Sequence, residues 1–435
     1  GKSGMHDIVN AVKNGTLEES VLDQRLDELL RVIFATHQAT VDGKGTTFNK
    51  EAHHKLARKA AEESIVLLKN EEQILPLKQG TKVAVIGDFA KTPRYQGAGS
   101  SLVNPAMPPE SILEEIKDSG LTMTACEQGY IRNRKPNAKL VKAAVDAAKN
   151  ADVVLFFGGL DEISESEGLD RAHMHMPVAQ DELINELTTV NKNVIVVLSA
   201  GSSVEMPWYP YVKGIVHGYL GGQAGASAML NVLTGKVCPS GKLNETYPLH
   251  YEDTPAYEYY PSKERSSEYR EGLYVGYRYY TTVGKKVRFP FGFGISYTTF
   301  TYRDLAVDQD GVKFKIQNTG TVAGTEIAQL YVGKESDSVF RPLRELKGFA
   351  RVELAPGEEK EVKILFDDKT FRFYDTRTDS WEVETGTYQI MIGSNAEEML
   401  LEGSLAVNGT VTEGGYSREE LPEYFSGKIK DISDE

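Results

Sequence analysis

Residues 161–171 read DEISESEGLDR and hold five carboxylic acids, Asp161, Glu162, Glu165, Glu167 and Asp170, together with Gly168 and Arg171. Two kinds of chemistry use such a stretch. A solvated acidic loop uses its charge only to stay in water. A general acid uses one carboxyl held partly buried, so that desolvation raises its pKa, while its neighbours pair with a cation or face solvent. Cleavage of a glycosidic bond needs two carboxyl groups flanking that bond, about 5 to 10 Å apart depending on the stereochemical outcome. This stretch offers a candidate for one of them.

A second stretch, QGAGSSLVNP at 96–105, gathers the hydrogen-bonding side chains Gln96, Ser100, Ser101 and Asn104, with Arg94 and Tyr95 just before it. Such groups suit a ligand rich in hydroxyls, because each buried hydroxyl needs a partner; the alternative is a plain surface loop. The close histidine pairs, His53–His54 and His173–His175, have no third ligand at metal-binding spacing and read as surface or loop residues. Trp208 and Trp381 offer rings for sugar stacking, with buried core positions the preferred reading for both. No metal or organic cofactor is implied.

The elements that must position these groups follow from periodicity. Four near-continuous apolar runs, KVAVIGD (82–88), ADVVLFFGG (151–159), NVIVVLSAG (193–201) and GIVHGYLGG (214–222), alternate with amphipathic segments PPESILEEIKDSG, AKLVKAAVDAAKN and VAQDELINELTTVN. This pattern predicts a mostly parallel sheet with helices on both faces. Ligands of such sheets bind outside the carboxyl ends of the strands, and the acidic stretch leaves such an end. VAVIGDFA looks like the opening of a dinucleotide site, but the G-x-G-x-x-G fingerprint is missing, which leaves nucleotide binding the weakest reading. Upstream, residues 16–36 predict an amphipathic helix with a Thr-x-x-Glu capping box, VDGKGTTFNKE reads as a linker, and AHHKLARKAAEESIVLLKN reads as a second helix. Beyond about residue 300, GVKFKIQNTG, EIAQLYVGK, RELKGFARVEL, KEVKILFD and GTYQIMIGS are short runs, many alternating with period two, between turns; they predict an all-β sandwich.

Composition narrows the class. With 435 residues, two or three domains are expected. A net charge of −14 argues against a general nucleic-acid binder, and no apolar run is long enough to span a membrane. Cys126 and Cys238 have no partners at metal-ligand spacing and read as ordinary thiols of a reducing, cytoplasmic compartment.

Eight ordered pieces carry a resemblance: AAEESIVLLKNEEQILPL, PRYQGAGSSLVNP, ESEGLDR, SAGSSVEMPW, YLGGQAG, LTGKVCPSGKLNETYP, YREGLYVGYRYY and FPFGFGISYTTF. From residue 1 to about 425 the chain resembles the C-terminal part of a glycoside hydrolase family 3 enzyme of the bacterial β-glucosidase kind. The resemblance implies the end of a (β/α)8 barrel plus linker at 1–50, an α/β sandwich domain at 51–250 and a connecting segment at 251–298. It implies a fibronectin type III-like domain at 299–409 and a polar tail at 410–435. It implies a retaining, exo-acting mechanism in which a barrel Asp attacks the anomeric carbon and Glu167, before Gly168, is the general acid/base. Glu165 is the rival. Leu169 stands where Tyr or Phe is more usual, and Asp170 and Arg171 are expected to lock the loop as an ion pair. Arg94, Gln96, Ser100 and Ser101 become candidate sugar contacts.

The nucleophile motif and most of the glycone pocket have no counterpart in the sequence, so the expected partners are a β-glucoside or oligosaccharide and the N-terminal barrel, with neither nucleic acid nor membrane. A homo-oligomer stays open. The rivals are a non-catalytic carbohydrate-binding or scaffolding module and a β-xylosidase of the same family. ESEGLDR leans away from the N-acetylglucosaminidase branch.

Overall fold

The structure, a computed structural model, describes residues 2–43, 45, 47–132, 135–258, 260–261, 269, 271–336, 339, 341–411 and 419. Nearly all of the polar tail expected at 410–435, and part of the connecting segment, lie outside these residues. The chain divides after Ala52 into two compact units. The first holds α1 (Lys2–Lys13) and α2 (Glu19–Asp42). The expected capping box does not form. Thr16 Oγ1 donates to Asn14 Oδ1 and to the Ala11 carbonyl instead, and α2 starts three residues later than Thr16, with Glu18 as its uncapped N-cap.

The division falls within α3 (Lys50–Ser64), and after Ile65 the run VLLKN is the strand β1 (Val66–Asn70), so the reading of one long helix there is corrected. Three consecutive branched residues, Ile65, Val66 and Leu67, are buried on a sheet rather than along a helix face. Then follow β2 (Lys82–Ile86), a short α4 (Ile112–Glu115), β3 (Thr122–Glu127), α5 (Ala138–Ala148), β4 (Val153–Gly159), α6 (Val178–Val190), β5 (Val194–Ser199), β6 (Gly214–His217) and α7 (Gly225–Leu233). The sheet order is β1-β6-β5-β4-β2-β3, parallel throughout except for β1, which runs antiparallel to β6. Alternate strand residues feed two cores. Ile86, Val154, Phe156 and Val196 pack on one face with Leu183 and Leu187 of α6, and Val85, Leu155, Phe157 and Val197 pack on the other with Leu230 and Leu233 of α7. Burial on both faces is why these strands read as unbroken apolar runs.

The order of the sheet singles out one pair of strand ends. From β2 the chain crosses to β3 on one side, and from β3 it crosses back to β4 on the other side of β2. The carboxyl ends of β2 and β4 are thus a topological switch point, the place where sheets of this kind commonly bind their ligands. The loop after β2 carries residues 87–101, and the loop after β4 carries 160–171. Gly159 closes β4 at φ +143°, and a Cβ there would lie 1.9 Å from the Ser199 carbonyl oxygen, so only glycine lets the loop turn off the sheet so close to β5.

Downstream, β7 (Tyr247–Pro248) pairs with β8 (Val287–Phe289), with α8 (Tyr277–Val283) between them. Residues 289–300 then lie against the α/β layer: Ile295 donates to the Leu67 carbonyl, and Phe293 and Gly292 exchange backbone bonds with Leu243. From Phe300 the chain forms an antiparallel sandwich of β9 (Phe300–Asp308), β10 (Gly311–Asn318), β11 (Gly324–Gly333), β12 (Glu345–Leu354) and β13 (Glu359–Leu365), a hairpin of β14 (Arg372–Asp375) and β15 (Ser380–Val383), then β16 (Gly386–Gly393) and β17 (Met399–Val407). Sheets β13-β10-β9 and β12-β11-β16-β17 enclose a core of Phe314, Leu330, Ile390 and Ile392. The chain is therefore an α/β sandwich followed by an all-β sandwich. Buried Gln329 joins the layers, its Nε2 donating to the carbonyls of Gly292 (3.1 Å) and Ser394 (2.7 Å).

Candidate functional site

The two stretches singled out in the sequence meet at the switch point. Glu167 donates its backbone N–H to the Ala98 carbonyl (3.3 Å), and its carboxylate Oε2 accepts from both the backbone N–H and the hydroxyl of Ser100. Gly99, at φ +87°, lets the chain pass under this carboxylate. The side chain of Glu167 is exposed. The expectation of a partly buried carboxyl with a raised pKa is corrected: the two Ser100 donors stabilise the charged form and hold Glu167 below the usual carboxylate range.

Arg94 lies under the loops rather than on them. It is 3% exposed, and its guanidinium donates to three carbonyls: Gln96 (2.8 Å), Leu160 (3.3 Å) and Glu165 (3.1 Å). The fork of Nε, Nη1 and Nη2 is turned onto backbone and clamps the two loops together. Gln96 is half-buried, its Nε2 donating to Tyr95 Oη (2.9 Å) and its Oε1 accepting from Val103 N–H (2.9 Å). Ser101 is exposed and donates to the Ala98 carbonyl (3.2 Å).

The remaining acids hold the loop. Asp161 is fully buried, and its Oδ1 accepts from the N–H groups of Ile163 (3.2 Å) and Ser164 (2.8 Å). Glu162 meets Arg132 (2.9 Å), which also binds Asp88 (2.6 Å) and so ties together the loops after β2, β3 and β4. Glu165, the rival to Glu167, has both carboxylate oxygens occupied, Oε2 by the Gly201 N–H (2.8 Å) and Oε1 by the Ser202 hydroxyl (2.7 Å). The expected Asp170–Arg171 pair is corrected too. Arg171 Nη1 donates to Ser202 Oγ (3.0 Å) and the Ser203 carbonyl (2.9 Å), while Asp170 accepts from the Tyr260 hydroxyl (2.7 Å). The loop is thus anchored at its start, middle and end by Arg132, Arg94 and Arg171, with Glu167 as the acid left facing outward over Ser100.

Other expectations separate along similar lines. His173 and His175 are exposed, but His54 is buried, its Nε2 2.7 Å from Glu110 Oε1 and its Nδ1 2.9 Å from Gln223 Nε2, so the surface reading is corrected for that residue. Trp208 is fully buried and its Nε1 donates to Asp181 (2.9 Å). Trp381 is 57% exposed on β15, with the Arg372 guanidinium over its ring at 4.4 Å, which corrects the core reading. Cys126 and Cys238 are free thiols, and among the described residues no group of three or more His, Cys, Asp or Glu is arranged to hold a metal ion. No helix of the described residues is long and apolar enough to cross a membrane.

The sequence reading missed Arg132, Asp181 and Glu245. Desolvation pushes the carboxyls of Asp181 and Glu245 up to about 7 each; Glu205 reinforces the first, and Glu165 the second. Glu245 lies inside LNETYP between the polar residues Asn244 and Thr246, and no local pattern marks it.

Comparison with known proteins agrees with this architecture. Residues 65–297 match the family model of the glycosyl hydrolase family 3 C-terminal domain, and residues 326–396 match that of the fibronectin type III-like domain. The thermostable beta-glucosidase B of Acetivibrio thermocellus is 45% identical over an alignment covering 93% of this chain and 55% of that protein. An exo-alpha-(1->6)-L-arabinopyranosidase of Bifidobacterium breve is 40% identical, over 92% of this chain and 55% of its own length. The crystal structure of a family 3 beta-glucosidase from Bifidobacterium adolescentis superposes with a TM-score of 0.85 at 38% identity, covering 93% of this chain and 60% of that one. The chain thus spans little more than half the length of these relatives. A mostly parallel sheet with a switch point, a β-sandwich after it and a family match over more than half of its residues together mean that this chain belongs to glycoside hydrolase family 3.

Proposed function

We propose that this chain is the part of a retaining, exo-acting β-glucosidase that carries the general acid/base, and that Glu167 is that group. The observation that carries the reading is the position of Glu167 itself: it is an exposed carboxylate on a loop staked by three arginines at the carboxyl ends of β2 and β4. In double displacement, one carboxyl protonates the leaving oxygen and later deprotonates the incoming water, while a second forms the glycosyl intermediate. The second carboxyl is assigned to the N-terminal half found in the relatives, so that the complete site needs both halves.

The Ser100 donors give Glu167 a definite role in each half-reaction. They stabilise the carboxylate, which is the form that deprotonates water. The acid half-reaction requires the opposite shift. We assign that shift to desolvation when a sugar and the N-terminal half cover the loop, because burial of a carboxyl favours its neutral form. Ser101 and Gln96, on the 87–101 loop with Ser100, are the candidate sugar contacts, and Arg94 ties that loop to the one that carries Glu167.

The test is Glu167→Gln in the chain joined to its N-terminal half, assayed on aryl β-D-glucosides. Loss of a general acid/base lowers the rate by about 10² to 10⁴, and least for substrates with good leaving groups. A drop smaller than about threefold would remove Glu167 from the role. Running the same enzyme on aryl β-D-xylosides and aryl α-L-arabinopyranosides sets the glycone. Preference for the arabinopyranoside would move this chain toward the activity named for its Bifidobacterium breve relative.

A further inference from the structure

The loop after β6, residues 218–224, takes no part in the reaction proposed above, yet it is tied down on two sides. On one side, the Gly222 N–H donates to the Tyr95 carbonyl at 2.9 Å. Tyr95 stands between Gln96 and Arg94, the clamp of the loops after β2 and β4, and five residues before Ser100. On the other side stands Glu110, whose side chain is 8% exposed. Its Oε1 accepts from Arg58 Nη2 at 3.0 Å and lies 2.7 Å from His54 Nε2, and its Oε2 accepts from the Ser227 N–H of α7 at 2.8 Å. A carboxylate oxygen only accepts, so His54 Nε2 carries the hydrogen of that contact. His54 Nδ1 is left to accept from Gln223 Nε2 at 2.9 Å. The backbone of Gln223 is held as well, its carbonyl accepting from the Glu110 N–H at 2.9 Å.

We propose that His54, oriented by Glu110, is a positioning residue for Ser100 and hence for Glu167, acting through Gln223 and the bond from Gly222 to Tyr95. Two bonds on Gln223, one to its side chain and one to its backbone, fix the residue that directly follows Gly222. They therefore aim the Gly222 N–H at Tyr95 before any ligand arrives. Ordering a glycine-rich segment such as YLGGQAG costs backbone entropy, and the bonds around Glu110 offset that cost within the folded chain. Released from His54, the loop gives Tyr95 a weaker support, and the two Ser100 donors spread over a wider range of positions beneath the Glu167 carboxylate. The proposal rests on the reading of Glu167 as acid/base for its kinetic consequence only; the link between the loops stands on the contacts themselves.

The first experiment is hydrogen–deuterium exchange on the full chain, following peptides that cover 218–225 and 95–101, with 345–354 of the β-sandwich as the reference. Gln223→Leu removes the side-chain bond to His54 and keeps the backbone bond to Glu110. His54→Gln keeps a donor for Glu110 but offers no acceptor where Nδ1 stood. Each variant should raise exchange by about threefold or more over both loops and leave the reference unchanged. Unchanged exchange at 95–101, or an equal rise in the β-sandwich, would overturn the link. The second experiment uses the chain joined to its N-terminal half. His54→Gln should lower kcat on aryl β-D-glucosides by about fivefold or more, with KM changed by less than about twofold, because alignment is lost rather than binding. The loss should shrink for good leaving groups, which need less help from an acid. An unchanged kcat, or a loss equal across leaving groups, would overturn the positioning role. A failure of the Glu167 assignment shows separately, as an undiminished rate in Glu167→Gln, and the exchange result still decides whether His54 holds the loops.

Discussion

Arg94 Nη2 donates to the carbonyl oxygen of Glu165 at 3.1 Å, two residues before Glu167, while Arg94 itself precedes Ser100 on the other loop by six residues. One guanidinium therefore sets the distance between the carboxylate and the serine that receives it. Arg94→Met removes three charge-assisted bonds and leaves the buried carbonyls of Leu160 and Glu165 short of a donor. We expect a loss of about 2–4 kcal/mol in unfolding free energy, measured by urea denaturation. Arg94→Lys should recover only a minor part, because an ammonium cannot reach three carbonyls in the plane of a fork. Full rescue by Lys would mean that charge alone holds the loops.

Ser100→Ala removes the hydroxyl donor to Glu167 and leaves the backbone N–H. The Glu167 carboxyl should then titrate closer to the ordinary glutamate range, read by NMR of a carboxyl-labelled chain. The sign for stability follows. A depressed carboxyl contributes stability above its unfolded pKa, and that stability is lost as pH falls through the folded value. The variant should therefore show a weaker stability loss on acidification than the wild type. An unchanged titration would assign the depression to the backbone donor alone.

Much of this arrangement is legible in the sequence, and the reason is physical. β2, β4, β5 and β6 are buried on both faces, so each reads as an unbroken apolar run. β3 escapes because it is a half-exposed edge strand, TMTACE, with polar residues on its open side. β1 escapes because a single residue, Ile65, separates it from α3, so the helical pattern runs into it. The acidic loop is legible as a cluster, but the division of labour within it is not. Glu165 and Glu167 differ only in their partners, Gly201 and Ser202 for one and Ser100 for the other, and those partners are brought together by tertiary structure. Arg171 illustrates the same limit: its sequence neighbour Asp170 is the obvious partner, yet the fold gives Arg171 to Ser202 and Ser203, and Asp170 to Tyr260.

Gly99→Ala tests the coupling of the loops directly. A Cβ at this position would lie 2.6 Å from Glu167 Cβ and 2.8 Å from its Oε2, and the backbone φ of +87° disfavours any side chain. The neighbour that must yield is the root of the Glu167 side chain rather than a flexible tip. We expect destabilisation of about 1–2 kcal/mol from backbone strain. In the joined enzyme, the rate should fall by about tenfold or more, with a smaller change in KM, as displacement of the acid/base by about 1 Å implies. A variant with normal kcat would show that Glu167 takes its working position independently of the 96–101 loop.

The pair of half-buried Asp181 and buried Trp208 offers a test of pH dependence away from the loops. Asp181 on α6 accepts from the Trp208 indole at 2.9 Å, and burial raises its carboxyl to about 7, against the opposing pull of that hydrogen bond. A raised carboxyl binds its proton more tightly in the folded state than in the unfolded state. Stability is therefore highest with the group protonated and falls as pH rises from the ordinary aspartate range to about 7. Asp181→Asn keeps an acceptor for the indole without the ionisation. Its unfolding free energy should exceed that of the wild type above neutral pH by on the order of 2 kcal/mol, and should converge on it in acid. Trp208→Phe removes the donor that favours the ionised form, so it should steepen the alkaline loss on top of a pH-independent packing cost. Parallel stability–pH curves for wild type and Asp181→Asn would mean that Asp181 ionises at its ordinary pH, with water reaching it beneath the indole.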